Sequence, residues 1–327
     1  MEYYYNSENF DITHLIKEFE GKKLEDIFPN QRVISNGMGE FLEFFWKCED
    51  VPVHLKILST KNKLLRNLKS VYYVGEITEK TLIERGVKTL YDLRANLRFR
   101  SSANKIIDLI CKKDFSNLSK NKYIYDLDTS FCFSKGDLLF IDIETLGLYD
   151  SPIIIVGLGF YKNNVYNIHQ FFARGLEEEI AICEHLRVKI LPNYKCFLSY
   201  NGKSFDIPYI ANRFLYYFDE NPMIYEDDPP YKKSNTKFGH IDLYHNCRRQ
   251  FKGEFSNYEL TTIEQELLNL KRENELPSSL VGLCYRKFLR DPNKYIGLIK
   301  ECIDHNYYDM YSMPLIFEKL LNRNKTK

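Results

Sequence analysis

No Cys-x-x-Cys pair occurs in the sequence; its eight cysteines stand singly at 48, 111, 132, 183, 196, 247, 284 and 302. That scatter argues against a zinc ribbon. A chain of 327 residues does not need a disulfide framework either, so a reduced, cytoplasmic setting is expected. No apolar run approaches the ~20 residues a membrane helix requires, which argues against a spanning segment. The opening MEYYYNSENF has neither the basic n-region nor the apolar h-region of a secretory signal. Internal repeats and low-complexity tracts are absent too, which leaves an ordinary folded chain. With 44% hydrophobic and 28% charged residues, it suits one large domain or two.

What the chain does have is an uneven charge. The net value is only +1, yet residues 56–122 carry sixteen Lys and Arg against six acids, a local +10 that leaves −9 elsewhere. A basic block joined to an acidic one is the pattern of a phosphate-gripping arm beside a metal-holding catalytic part. A lysine-rich helical surface would give the same count. Tyrosine (25) and phenylalanine (23) are abundant, which suits base stacking as well as a large core.

The pattern along the chain divides near residue 136. Strand-like pieces at 31–35 and 51–58 precede a helical stretch over 60–113. Inside it, SVYYVGEITEKTLIERGVKTLYDL (70–93) sets glycines at 75 and 86 around a helix over 78–85, with another from about 89. The segment from about 69 to 113 resembles the helix-hairpin-helix, a module that grips backbone phosphates through turn amides. Gly75 matches the first hairpin glycine, and Ile77 stands where the second is usual. The resemblance implies nucleic-acid contact at Gly75 and Lys80; a small helical packing unit is the plainer reading. After a connector over 119–136, strands are expected at 138–144, 153–160 and 165–172, with a turn at 162–164. Helices then alternate with strands (helix 177–190, strand 195–200, helix 207–217, strand 240–243), and the remainder is mostly helical. Such an order describes an α/β fold, a mixed sheet with helices on both faces.

Three pieces carry the chemistry. In LLFIDIETLG (138–147), strand alternation projects Asp142 and Glu144 from one face while Ile143 points away. Adjacent carboxylates repel unless a cation lies between them, or unless the strand end is simply solvated. In CFLSYNGKSFDIPYI (196–210), an apolar strand runs into Asn201-Gly202, and Asp206 then opens a helix, as a cap or as a ligand. In CIDHNYYDMYSM (302–313), His305 and Asp309 are four apart and share a helix face, where they could also pair loosely and mean nothing.

Taken in order, Asp-x-Glu on a strand, Asn-x-x-x-x-Asp after a later strand and His-x-x-x-Asp in a late helix resemble the motifs of the DEDD 3′–5′ exonucleases. The likeness runs from about 137 to 325. It is closer to the YprB-type "ribonuclease H-like domain" branch, through HIDLYHNCRR (240–249), YELTTIEQELLNLKREN (258–274) and HNYYD (305–309). The helix-hairpin-helix-like segment before it also fits that branch. One departure is His305, where the branch commonly shows Tyr. The resemblance implies an RNase H-like domain over 137–327 with a five-stranded mixed sheet, preceded by a smaller α+β region over 1–136. It implies a metal-dependent 3′–5′ exonuclease acting on single-stranded or frayed ends of DNA or RNA, with two Mg²⁺ or Mn²⁺ ions. Asp142 would bridge the ions, Glu144 and Asp309 would complete one site, and Asp206 would hold the second ion. His305 would take the proton of the attacking water. Asn201 would orient the substrate strand, and Thr145 and Leu146 would touch the terminal nucleotide. The chemistry agrees: two ions about 3.5–4 Å apart stabilise the attacking and leaving oxygens, and hard ions want carboxylate ligands. The reading from another class is a non-catalytic nucleic-acid-binding protein on the same scaffold. Such copies usually lose an acid, and here all four are present.

Overall fold

The structure is a computed structural model that describes residues 13–223, 237–272 and 276–323. Its seven described strands make a mixed sheet flanked by helices. Two compact units divide the chain, each assembled from three stretches. One takes the residues up to Val51, Phe140–Pro192 and Leu260–Pro314; the other takes Pro52–Leu139, Asn193–Glu259 and the residues from Leu315 onward.

In the first unit, β1 (Gln31–Asn36) and β2 (Gly39–Cys48) form a hairpin, and β2 pairs antiparallel with β5 (Val165–Phe172). β3 (Leu138–Thr145) and β4 (Ile153–Lys162) continue the antiparallel order, β4 lying between β3 and β5. The expected turn at 162–164 is present: Asn163 and Asn164 sit at φ 53° and 58°, the left-handed pair that a tight two-residue hairpin requires. Sheet and helices close around a core that includes Phe44, Ile155, Phe172, Tyr285 and Ile299.

Two expectations fail here. The piece at 51–58 is not a strand, and residues 39–48, which gave no clear strand signal, form β2. β2 buries four successive residues, Phe41–Phe44, and is held by its pairing with β5. Because the β1–β2 hairpin adds to β5, the sheet has seven described strands rather than five.

In the second unit, β6 (Cys196–Ser199) and β7 (Gly239–Asp242) run parallel, with the helix Asp206–Phe218 between them in the chain. The helix Arg100–Lys112 buries Ala103, Ile106, Ile107 and Ile110, one face at helical spacing, in a cluster with Leu82, Leu90, Leu93 and Phe131. The expected pair of short helices exists as Glu76–Glu84 and Leu90–Leu93, joined through Gly86 at φ 87° and capped by Thr89 with Asp92. Gly75 is the N-cap of the first of these. The left-handed residue two positions from Gly75 is Tyr73 (φ 68°), before it; Ile77 lies inside the helix. The turn spans Val71–Val74, closed by the Val74 N–H on the Val71 carbonyl (3.1 Å), immediately before Gly75. Among the described residues no helix is long and apolar enough to cross a membrane.

Candidate active site

The first acidic pair ends β3. Asp142 stands opposite Gly157 and Glu144 opposite Ile155, and the register slips between Glu144 and Thr145. A bulge at that point bends the strand and re-aims the side chains around it. Glu144 is 7% exposed, while Asp142 is half-buried. Thr145 turns its hydroxyl onto the Gly147 carbonyl (2.8 Å), and Leu146 packs half-buried against the core of its unit.

His305 and Asp309 lie on the long helix Pro292–Asn322 and are 6% and 8% exposed. His305 Nε2 is 3.5 Å from Asp309 Oδ2, 3.8 Å from Glu144 Oε1 and 3.0 Å from Ser278 Oγ. One ligand atom each from Glu144, His305 and Asp309 falls within 4.8 Å of the others. Burial pushes the imidazole's pKa below its ordinary value; Asp309 acts the other way, and the Arg272 charge reinforces the fall. His305 is therefore neutral near pH 7, with a nitrogen lone pair available to take a proton or hold a metal.

The sequence reading missed the groups that hold these acids. Arg272 donates from Nε and Nη2 to Glu264, both at 2.6 Å, and from Nη2 to Asp309 Oδ1. Ser312 donates to Glu264 as well. All three members of the Arg272 trio are buried. Burial raises the Glu264 pKa, against the lowering effect of Arg272. Burial alone would weaken Arg272's hold on its proton, but the charges of Asp309 and Glu264 reverse that and raise its pKa. With Oδ1 engaged by Arg272, Asp309 turns Oδ2 towards His305.

Asp142 has its own support. Asn306 Nδ2 donates to Asp142 Oδ2 at 2.7 Å, while Gln170 Nε2 donates to Asn306 Oδ1 (2.7 Å) and to the Ile303 carbonyl (2.8 Å). Gly157 sits between Asp142 and Gln170 across three neighbouring strands. A Cβ there would lie 2.4 Å from Asn306 Oδ1, so only glycine lets Asn306 reach across the sheet. A signal for this existed in the sequence. Glycine inside an otherwise apolar strand, as in Val156-Gly157-Leu158, marks a place where another group comes close.

In the second unit, Asn201 takes φ 66° in the turn after β6. The buried Asp242 shapes that turn by accepting the backbone N–H groups of Asn201 (3.0 Å) and Lys203 (3.1 Å), and it also caps its own helix through Tyr244. Asp206 is buried in the first turn of Asp206–Phe218, whose cap position is Phe205, so a cap role does not explain it. Gly202 is required there, since a Cβ would meet Ser199 Oγ at 2.4 Å and Asp206 Oδ2 at 3.0 Å. Lys80 is exposed on the helix that Gly75 opens.

Two carboxylates and an imidazole nitrogen converging in a buried spot form a donor set that fits a divalent ion. The family model of the RNase H superfamily matches residues 139–321. The chain is also 30% identical over 197 residues to the uncharacterized protein YprB of Bacillus subtilis (strain 168). That match covers 57% of this chain and 42% of the relative, so the chain spans less than half of the relative's length. A sheet of this kind, carrying its acidic pair on β3 and matched over more than half the chain, makes this protein a member of the RNase H superfamily.

Proposed function

We propose that the chain is a metal-dependent 3′–5′ exonuclease that hydrolyses phosphodiester bonds at nucleic-acid ends. The observation that carries the reading is the convergence of Glu144, Asp309 and a buried His305 on one point, with Asp142 on the same strand as Glu144 and held by Asn306. Membership of the RNase H superfamily, whose enzymes are mostly nucleases, supports it. A bound Mg²⁺ or Mn²⁺ would supply the positive charge that activates water and stabilises the phosphate oxygens. Glu144 and Asp309 would hold that ion, with Asp142, two residues before Glu144 on the same strand, as the further carboxylate of the site. Asn306 holds Oδ2 of Asp142 and Arg272 holds Oδ1 of Asp309, so that the carboxylates are oriented before substrate arrives. His305 accepts a proton at Nε2 from the attacking water, the task of a neutral imidazole. The role that the resemblance gives Asp206, holding a second ion, is a separate claim with its own variant.

His305 has a second reading, because its Nε2 is one of the three converging donor atoms and could itself be a ligand. The two readings part on His305→Ala. A base loses about 10²–10⁴ in rate with metal affinity kept, whereas a ligand loses metal affinity. The main test is digestion of end-labelled DNA and RNA oligonucleotides with Mn²⁺ or with EDTA. Asp142→Ala and Asp206→Asn should each lower the rate by at least about 10²–10³ while the protein stays folded. Near wild-type digestion by Asp142→Ala refutes the proposal. The same result for Asp206→Asn removes the second ion alone.

A further inference from the structure

We infer that the second unit carries a single-strand nucleic-acid cleft, built from Tyr72, Tyr73 and four lysines, that holds substrate by base stacking and phosphate pairing. The inference rests on the nuclease reading only in taking nucleic acid as the ligand. Between the turn 71–75, the helix Arg100–Lys112 and the segment 117–123 lies a cleft of about 1170 Å³. Lys69, Lys105, Lys120 and Lys122 line it, and among the described residues that line it there is no Asp or Glu. Lys69 also stands 3.9 Å from Glu79, outside the lining, and Lys120 donates to Asn117 at 3.3 Å. Lys105 and Lys122 are exposed. A one-signed cleft of this kind attracts a polyanion.

The aromatic pair distinguishes a nucleic acid from other polyanions. Tyr72 and Tyr73 are 70% and 71% exposed, yet they are adjacent, with ring centroids 4.1 Å apart, at the wall of the cleft. Neighbouring Val71 and Val74 are buried, so the rings are held out by an anchored turn. Tyr73 keeps φ 68°, a conformation that a bulky side chain adopts only under strain and that glycine would take freely. Retaining a tyrosine there places a flat apolar face in water beside lysines. Proteins that hold single strands without reading sequence combine these two elements, aromatic faces for bases and a basic groove for phosphates. An acidic peptide would satisfy the lysines but leave both rings unused.

The experiment measures fluorescence anisotropy of labelled oligothymidylate and oligouridylate with the full chain in EDTA, across a salt series. The variant Tyr72→Ala/Tyr73→Gly is compared with Tyr72→Phe/Tyr73→Phe. Glycine suits the left-handed position, so the first variant keeps the turn. It is expected to weaken binding roughly tenfold or more at every salt concentration, as the loss of stacked bases does, with phenylalanine restoring it. Lys105→Gln/Lys122→Gln is expected instead to flatten the slope of log K against log salt by about 0.7 per lysine. Equal binding by the Ala/Gly variant and the wild type overturns the cleft and leaves the nuclease reading standing. Binding of polyglutamate as tight as the oligonucleotides, unchanged in that variant, also overturns it. If the wild type binds neither oligonucleotide, the cleft and the nucleic-acid reading fall together.

Discussion

Arg272 is the cation of its buried cluster, so replacing it isolates what that charge contributes. Arg272→Met keeps an apolar stem of similar length and removes two hydrogen bonds to Glu264 at 2.6 Å, one to Asp309 and a longer one to the His305 carbonyl at 3.4 Å. Removing one partner of a buried ion pair typically costs about 3–5 kcal/mol, because the remaining charge has neither water nor a counter-ion. Glu264 has an escape, which sets an independent bound. Glu264 already has a raised pKa through burial, and without Arg272 it can take up a proton. Protonating a carboxyl of ordinary pKa ~4.3 costs about 3.7 kcal/mol at pH 7 and about 1 kcal/mol at pH 5. The two routes agree at about 3–5 kcal/mol at pH 7. The sign in pH follows. A carboxyl whose folded pKa is raised destabilises increasingly above its unfolded pKa, so the deficit of the variant grows from pH 5 to pH 7. Urea unfolding of wild type and Arg272→Met in EDTA at both pH values measures it. Adding Glu264→Gln to Arg272→Met should recover part of the loss, a coupling of about 0.5–3 kcal/mol. A loss below about 1 kcal/mol at pH 7, or a loss no smaller at pH 5, refutes the account of a dry, mutually dependent cluster.

Other predictions follow from the same geometry. Gly157→Ala should displace Asn306 from Asp142, because the new Cβ would sit 2.4 Å from the Asn306 amide. Overpacking of this kind costs about 1–3 kcal/mol, and the digestion rate should fall by more than the unfolded fraction explains; a wild-type rate refutes the positioning role of Asn306. His240, half-buried and 2.7 Å from Ser199 Oγ, has its pKa pushed down by the loss of water around it to about 3. Between about pH 6.5 and that value the unfolded chain takes up a proton that the folded chain refuses. Stability should therefore fall by up to about 1.4 kcal/mol per pH unit as pH drops through that window. His240→Asn should flatten the fall, read as urea midpoints from about pH 7 downward, and an unchanged slope would sink the assignment.

Several elements of the site were legible because they are local. Alternation along β3 put Asp142 and Glu144 on one face, and a four-residue spacing put His305 and Asp309 on one side of a helix. Turn chemistry at Asn163-Asn164 and the two short helices near Gly75 and Gly86 were visible for the same reason, to within a residue or two. β2 was not among the expected strands, and its place in the sheet comes from its pairing with β5 far along the chain.

What the sequence determined by itself is therefore the order of the chemical pieces and the face from which each projects, since those depend on backbone geometry over a few residues. The tertiary structure decided which groups hold them. Arg272 reaches Asp309 across 37 positions of chain, and Asn306 reaches Asp142 across 164, the latter only because Gly157 leaves the space. No periodicity encodes such pairs. They form when packing takes charges and amides out of water and each buried polar group has to find a partner among whatever the fold brings near.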